Sequence, residues 1–266
     1  MRGFVFCKVR HKDFPEKTVM DDLITAFNAL AFLFHVGMAA ACGWVGDTGV
    51  SFPLYLPFTT FGNATTPIED QVSISYLGKF PMTILFITYF TVTAFFHLGN
   101  LVLWRDAYME CLSEGRNPFR WTEYSITSPI MTAVLAYISG SRNLLLIVAA
   151  CTLTFTTMTF GFVIDEIRTL SAFAGGCVPF LVEFGLLISS LYVTTECYPS
   201  YVPATIFSEL FLWCLFPIVM LSDLMGFNYK KGELCYILLS LASKGVLAII
   251  LMANGVLTVG IVGTTC

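Results

Sequence analysis

The sequence predicts an all-α membrane protein, one bundle of seven transmembrane helices with its amino terminus in the cytoplasm. Three observations carry that reading. Hydrophobic residues make up 56% of the 266-residue chain and charged residues 12%, with a mean hydropathy of +0.78; this excludes an ordinary soluble globule and any disordered class. Seven apolar stretches approach or exceed the roughly 20 residues that a bilayer requires. The cations between them are unevenly divided, which sets the orientation.

In chain order, residues 1–22 form a cytoplasmic segment. Arg2, Lys8, Arg10, Lys12 and Lys17 lie there without the apolar core of a cleavable signal, so the first helix, Leu23 to Val45, must itself insert. Residues 46–79 make the first extracellular loop. A loop of that length without structure of its own would be unusual, and the alternation around Ser51, Phe52, Leu54, Tyr55 and Leu56 predicts a short antiparallel β-hairpin over the outer mouth, turning near Phe61 to Thr65. Asn63, Ala64 and Thr65 also spell a glycosylation sequon, a pattern that arises by chance as readily as by use. The second helix runs from Pro81 to Trp104. The third, Pro118 to Ile138, is announced by Asn117 as a cap and Pro118 in the first helical position. The remaining four are Leu144 to Ile164, Ala172 to Thr194, Pro203 to Met225 and Glu233 to Leu257. Their short connections make consecutive helices antiparallel neighbours. No repeat or second domain is visible, so residues 1–266 read as a single domain.

With the amino terminus inside, the inner segments collect those five cations plus Arg105, Arg116, Arg120, Arg168, Lys230 and Lys231, while the outer ones hold Lys79 and Arg142. Eleven against two places the amino terminus in the cytoplasm and the carboxyl terminus outside. The cations serve topology and form no basic face, and the net charge is -4, so no nucleic-acid partner is expected. The nine cysteines show no CxxC spacing and read mostly as small hydrophobes; Cys197 and Cys266 lie on the outer side, where a disulfide between them is open.

The chemistry centres on Lys244. It sits in the apolar run Leu234 to Val259, which holds no other charge, and an ammonium at that depth costs roughly 2.5 to 3.5 kcal/mol on insertion scales. Such a lysine either faces a polar cavity or does chemistry, and a desolvated amine forms a Schiff base with an aldehyde. A buried charge needs a partner. Glu123 lies about 9 Å inside the third helix and Lys244 about 18 Å beyond Gly232 at 1.5 Å per residue, so Glu123 is the candidate counterion. Thr127, one turn beyond Glu123, and Ser240 and Ser243, beside Lys244, can bond the charged pair or their own helices.

The sixth helix contributes Trp213, Phe216 and Pro217, an aromatic pair one turn apart beside a kink. With Met131, these suit a wall for a long apolar ligand or plain core packing in a chain with 25 phenylalanines. His35 and His97 are polar groups in apolar helices, suited to an interhelical hydrogen bond or to accepting a proton; no metal-ligand spacing surrounds them. Glu209, about 9 Å inside the outer end of the sixth helix, and Glu183, at mid-depth of the fifth, have no basic neighbour in their own helices. Each is a candidate proton relay or a buried hydrogen-bonding group.

Taken together these residues resemble the heliorhodopsins, seven-helix retinal proteins of inverted membrane orientation. Arg120, Trp121, Glu123, Tyr124, Ser125 and Met131 match that family's third-helix motif, and Lys244 falls at the retinal lysine. Trp213, Phe216 and Pro217 resemble the sixth-helix pattern of microbial rhodopsins, and His35 and His97 fall where the family places two histidines around an inner cavity. Thr127 stands where the family usually has serine, and Pro129 interrupts the third helix where the motif gives no proline.

The resemblance implies a rhodopsin-type bundle, all-trans retinal bound covalently to Lys244, Glu123 as counterion, and Trp121 among the pocket residues with Met131, Trp213, Phe216 and Pro217. It implies Arg120 with the histidines at the inner cavity, a homodimer, and a slow signalling-type photocycle. The alternative is a light-gated proton conductor that uses Glu209, Glu123 and Glu183. A Schiff-base enzyme is not expected, since no hydrolase, phosphate-loop or metal motif accompanies the lysine.

Overall fold

The computed structural model describes residues 18–59, 72–194 and 198–260. The elements in chain order are α1 (Val19–Val45), β1 (Ser51–Thr59), β2 (Val72–Pro81), α2 (Met82–Leu98) continued by a π-helical turn (Gly99–Leu103), α3 (Arg105–Ser113), α4 (Pro118–Ile138), α5 (Leu144–Ile167), α6 (Leu170–Thr194), α7 (Tyr201–Leu224), α8 (Tyr229–Ala253) and the short α9 (Val256–Val259). The long helices form a ring in the order α1, α2, α4, α5, α6, α7, α8, with α8 closing onto α1.

Six of them, α1, α2 with its π-helical turn, α5, α6, α7 and α8, are long and apolar enough to cross a membrane. The seventh span expected from the sequence is α4, with the predicted bounds. It is more polar because it carries Arg120, Glu123 and several hydroxyls, and it is also the most enclosed, touching α2, α5, α6 and α7. Burial inside protein is what lets so polar a helix sit in a bundle of this kind.

Local signals in the sequence set the helix starts. Thr18 caps α1 in a reciprocal capping box with Asp21, and Lys230 donates to Asp21 Oδ1 at 2.6 Å, tying the start of α1 to that of α8. Asn117 accepts from the Arg120 amide at 3.0 Å, with Pro118 behind it. Pro129 lies within an unbroken α4. The last predicted span ends earlier than its predicted limit: α8 stops at Ala253, and Gly255, at φ +69°, starts the separate α9.

The predicted hairpin is present. β1 and β2 pair antiparallel from Ser51 opposite Pro81 to Thr59 opposite Val72, with an irregularity between Leu54 and Tyr55. It rests on the turn before α5: Tyr55 donates its amide to the Arg142 carbonyl at 2.9 Å, and the Arg142 guanidinium lies 5.1 Å from the Phe52 ring centre. Its predicted turn, the Asn63 sequon, and Cys197 and Cys266 lie outside the described residues.

Two features were not foreseen. The connection after the second span holds α3 rather than a plain loop, and the span itself ends in a π-helical turn. One cysteine departs from the reading as small hydrophobes: Cys111, buried on α3, is disulfide-bonded.

Candidate functional site

Lys244 on α8 and Glu123 on α4 meet in the middle of the bundle. The Lys244 Nζ lies 2.6 Å from Glu123 Oε1, and both residues are nearly inaccessible, at 2% and 5% exposure. Ser240, one turn before the lysine, accepts from Nζ at 3.0 Å, and the amine stands 5.3 Å from the centre of the Tyr124 ring. Ser243 is buried in the same wall. Of its two options Thr127 takes its own helix and does not serve the carboxylate: its hydroxyl donates to the Glu123 backbone carbonyl at 3.1 Å, the back-bonding that threonine adopts readily in helices. The hydroxyl that does bond the carboxylate belongs to Thr93 on α2, at 3.0 Å.

A cavity with an empty volume of about 820 Å³, its mouth included, opens beside the amine. The predicted wall residues Trp121, Met131, Trp213, Phe216 and Pro217 all line it, with Ser240, Ser243 and Lys244. The wall from α5 and α6, including Met158, Gly161, Phe173 and Phe180, was not named from sequence. Gly161 is required there: a Cβ at that position would collide with the Trp121 ring, so glycine lets the indole lie flat against α5.

His35 and His97 come together, their rings stacked with centres 5.4 Å apart. His35 Nδ1 is 2.6 Å from the Ala31 carbonyl, and His97 Nδ1 is 2.8 Å from Asn28 Oδ1. Each Nε2 is buried without a hydrogen-bond partner among the described residues. Asn28 reaches on to the Tyr108 hydroxyl at 3.2 Å, and Tyr108 donates to Glu233 Oε1 at 2.8 Å. Asn100, on the π-helical turn, also donates to Asn28.

Arg120 does not join the histidines directly. It pairs with Glu233 at 2.5 Å and Asp165 at 3.3 Å, and lies 3.8 Å from the centre of the Tyr236 ring. Asp165 Oδ2 also accepts from the Trp121 indole at 2.6 Å and the Tyr229 hydroxyl at 2.8 Å. A hydrogen-bonded chain therefore runs from the cavity wall through Asp165 and Arg120 to Glu233, and by Tyr108 and Asn28 to His97.

The two remaining carboxyl groups are fully buried and separate. Glu209 on α7 makes no hydrogen bond within normal geometry, although the Trp213 indole and the Leu247 amide face it. Glu183 on α6 accepts from Thr132 at 2.8 Å.

Thr93, Asn28, Tyr108, Asp165 and Glu233 were not singled out from the sequence. Spacing held some of the signal, since Thr93 precedes His97 by one turn, and Glu233, Ser240 and Lys244 recur on one face of α8.

With that geometry in view, the comparison with known families is decisive. The heliorhodopsin family model matches residues 24–256. The chain belongs to the heliorhodopsin family. It is an integral, multi-pass membrane protein, and the family implies a retinal-based photoreceptor. No curated protein matches it. Among solved structures, this heliorhodopsin is similar to cyanorhodopsin N4075R from the cyanobacterium Tolypothrix sp. NIES-4075, at 14% identity over 90% of this chain and 95% of that one, with a TM-score of 0.62. It is similar to a thermophilic rhodopsin from Rubrobacter xylanophilus, at 15% identity over 87% and 95%, TM-score 0.62. The transmembrane domain of a Salpingoeca rosetta rhodopsin phosphodiesterase matches at 14% over 88% and 82%, TM-score 0.58. At such identities these likenesses establish the fold alone.

The residues present fit the retinal that the family implies. One buried primary amine enters a cavity otherwise walled by aromatic, methionine and glycine residues, and its charge is met by one carboxylate. Those are the requirements of an apolar polyene with a cationic attachment point.

Proposed function

We propose that this heliorhodopsin is a light sensor that carries all-trans retinal covalently on Lys244, with Glu123 as counterion and the whole chain acting as one domain. The observation that carries the reading is the buried Lys244–Glu123 pair, 2.6 Å apart, at the aromatic-walled cavity. When bound, retinal supplies a visible absorption and a light-driven change of shape. The protein supplies the rest. Glu123 holds positive charge at the Lys244 nitrogen, and Thr93 and Ser240 fix the two groups. Trp121, Met131, Trp213, Phe216 and Pro217 restrict how the polyene lies. His35 and His97 offer unpartnered ring nitrogens for a proton lost from the lysine side, and imidazole is the side chain whose ordinary proton affinity suits that exchange.

The output proposed is a slow, signalling-type photocycle rather than an enzymatic reaction. Trp121 supports this, because it touches both the cavity and Asp165, so a moving wall disturbs the Arg120 cluster. The charge asymmetry supports a cytoplasmic amino terminus and an extracellular carboxyl terminus, and kinship supports a homodimer in the bilayer. Adding all-trans retinal to the purified protein tests the attachment: a visible band bleached by hydroxylamine is expected, and none in Lys244→Arg.

One observation favours a second reading, light-gated proton transport. Glu209 is fully buried without a hydrogen bond within normal geometry, beside the equally unpartnered hydroxyl of Tyr89. A buried carboxyl group with no fixed partner is suited to pass protons, and with Glu123 it would extend a path toward the hairpin end. Voltage-clamped cells separate the two readings: the sensor gives no photocurrent, and the conductor gives one that Glu209→Gln abolishes.

A further inference from the structure

Glu183 has a different setting from the other buried acids. It joins three helices: its Oε1 accepts from Thr132 of α4 at 2.8 Å, and the Thr132 hydroxyl lies 2.7 Å from that of Thr154 on α5. All three residues are fully buried. No lysine, arginine or histidine pairs with Glu183 among the described residues, and its Oε2 has no partner there. By contrast, each of the ionised-looking carboxylates in the core has a cation: Glu123 has Lys244, while Glu233 and Asp165 share Arg120.

Hydrogen counting decides what such a group can be. Two threonine hydroxyls hold two hydrogens between them, and they also face the backbone carbonyls of Ser128 and Ala150. A carboxylate has about four acceptor sites, so a charged Glu183 would keep most of them bare in the bundle core. Leaving one neutral oxygen or hydroxyl unbonded costs on the order of 1–3 kcal/mol, and an unpaired buried charge costs far more. The neutral acid is the form this site accepts.

The knot also sits directly behind the cavity wall. Thr132 follows Met131, Thr154 lies one turn before Met158, and Glu183 lies one turn after Phe180; Met131, Met158 and Phe180 all line the cavity. Phe184, next to Glu183, meets Trp213 edge-on with ring centres 5.5 Å apart.

We propose that Glu183 is an uncharged positioning residue that clamps the α4, α5 and α6 wall of the chromophore cavity through Thr132 and Thr154, and that it carries no proton. The inference rests on the reading of the cavity as the retinal site. It separates Glu183 from Glu209, with which the sequence alone had grouped it.

The test compares substitutions in protein reconstituted with all-trans retinal, read by the visible band, the rate of recovery after a flash and any photocurrent. Glu183→Gln keeps a neutral hydrogen-bonding group, so the band stays in place and recovery stays within about twofold of wild type. Thr132→Val and Glu183→Leu each break the clamp and change recovery about fivefold, the size of one net hydrogen bond. Thr132→Val, nearly isosteric, keeps the test sound if Glu183→Leu does not fold. A displaced band or a lost photocurrent in Glu183→Gln would overturn the proposal, as would a Thr132→Val protein with wild-type recovery. A colourless wild type defeats the retinal reading itself, a result distinct from either.

Discussion

Thr93 on α2 and Glu123 on α4 meet through a 3.0 Å hydrogen bond to Oε1, the same carboxylate oxygen that takes the Lys244 amine at 2.6 Å. One oxygen therefore carries both the ion pair and the contact that fixes its position. The hydroxyl draws negative charge toward itself and away from the lysine nitrogen. Replacing it should strengthen the hold of Glu123 on that nitrogen in the dark. With retinal bound, Thr93→Val is expected to move the visible band to shorter wavelength on the order of 10 nm, about 1 kcal/mol, the scale of one net hydrogen bond. Thr93→Ser should restore it.

Removing one member of the buried pair should cost more than removing both. Lys244→Ala strands the Glu123 charge and is expected to lower apoprotein stability by about 3–5 kcal/mol. Adding Glu123→Gln to it should recover most of that loss. Thermal unfolding in detergent checks the non-additivity.

Gly161 is where the cavity wall has no spare room. Gly161→Ala drives a methyl into the Trp121 ring, and the indole must move into the cavity. A loss of about 1–3 kcal/mol is expected from overpacking, with a several-fold lower ratio of visible to protein absorbance after reconstitution.

The 2.6 Å bond from the Trp121 indole to Asp165 links the cavity to the Arg120 cluster. Trp121→Phe keeps an aromatic wall and deletes the link. Flash spectroscopy is expected to show recovery slowed about fivefold, consistent with one net hydrogen bond, and Asp165→Asn should slow it in the same direction.

The helices were legible because each carries a long apolar run with short connections, and α4 because Asn117 and Pro118 fix its first turn. The Lys244–Glu123 pairing was legible for an energetic reason: two charges in apolar surroundings have few partners to choose from. Threonines were harder. Thr93 and Thr127 look alike in sequence, each able to bond its own helix or a neighbour, and only the placement of α2 against α4 distinguishes them. Arg120 was grouped with the histidines, but Glu233 and Asp165, from helices far away in sequence, satisfy it instead. Nor did any spacing mark Cys111 as disulfide-bonded.

The π-helical turn Gly99–Leu103 has a consequence for how this chain tolerates length changes. Such a turn holds one residue more than regular helix permits. Deleting one residue there would heal the irregularity and swing the adjoining α3 by about 100°. Trp104 would leave its stack on Phe119, where the rings now lie 5.5 Å apart and nearly parallel, and Tyr108 would turn away from Glu233. A shorter, more regular helix would thus sever the histidines from the arginine cluster without altering a single side chain in either.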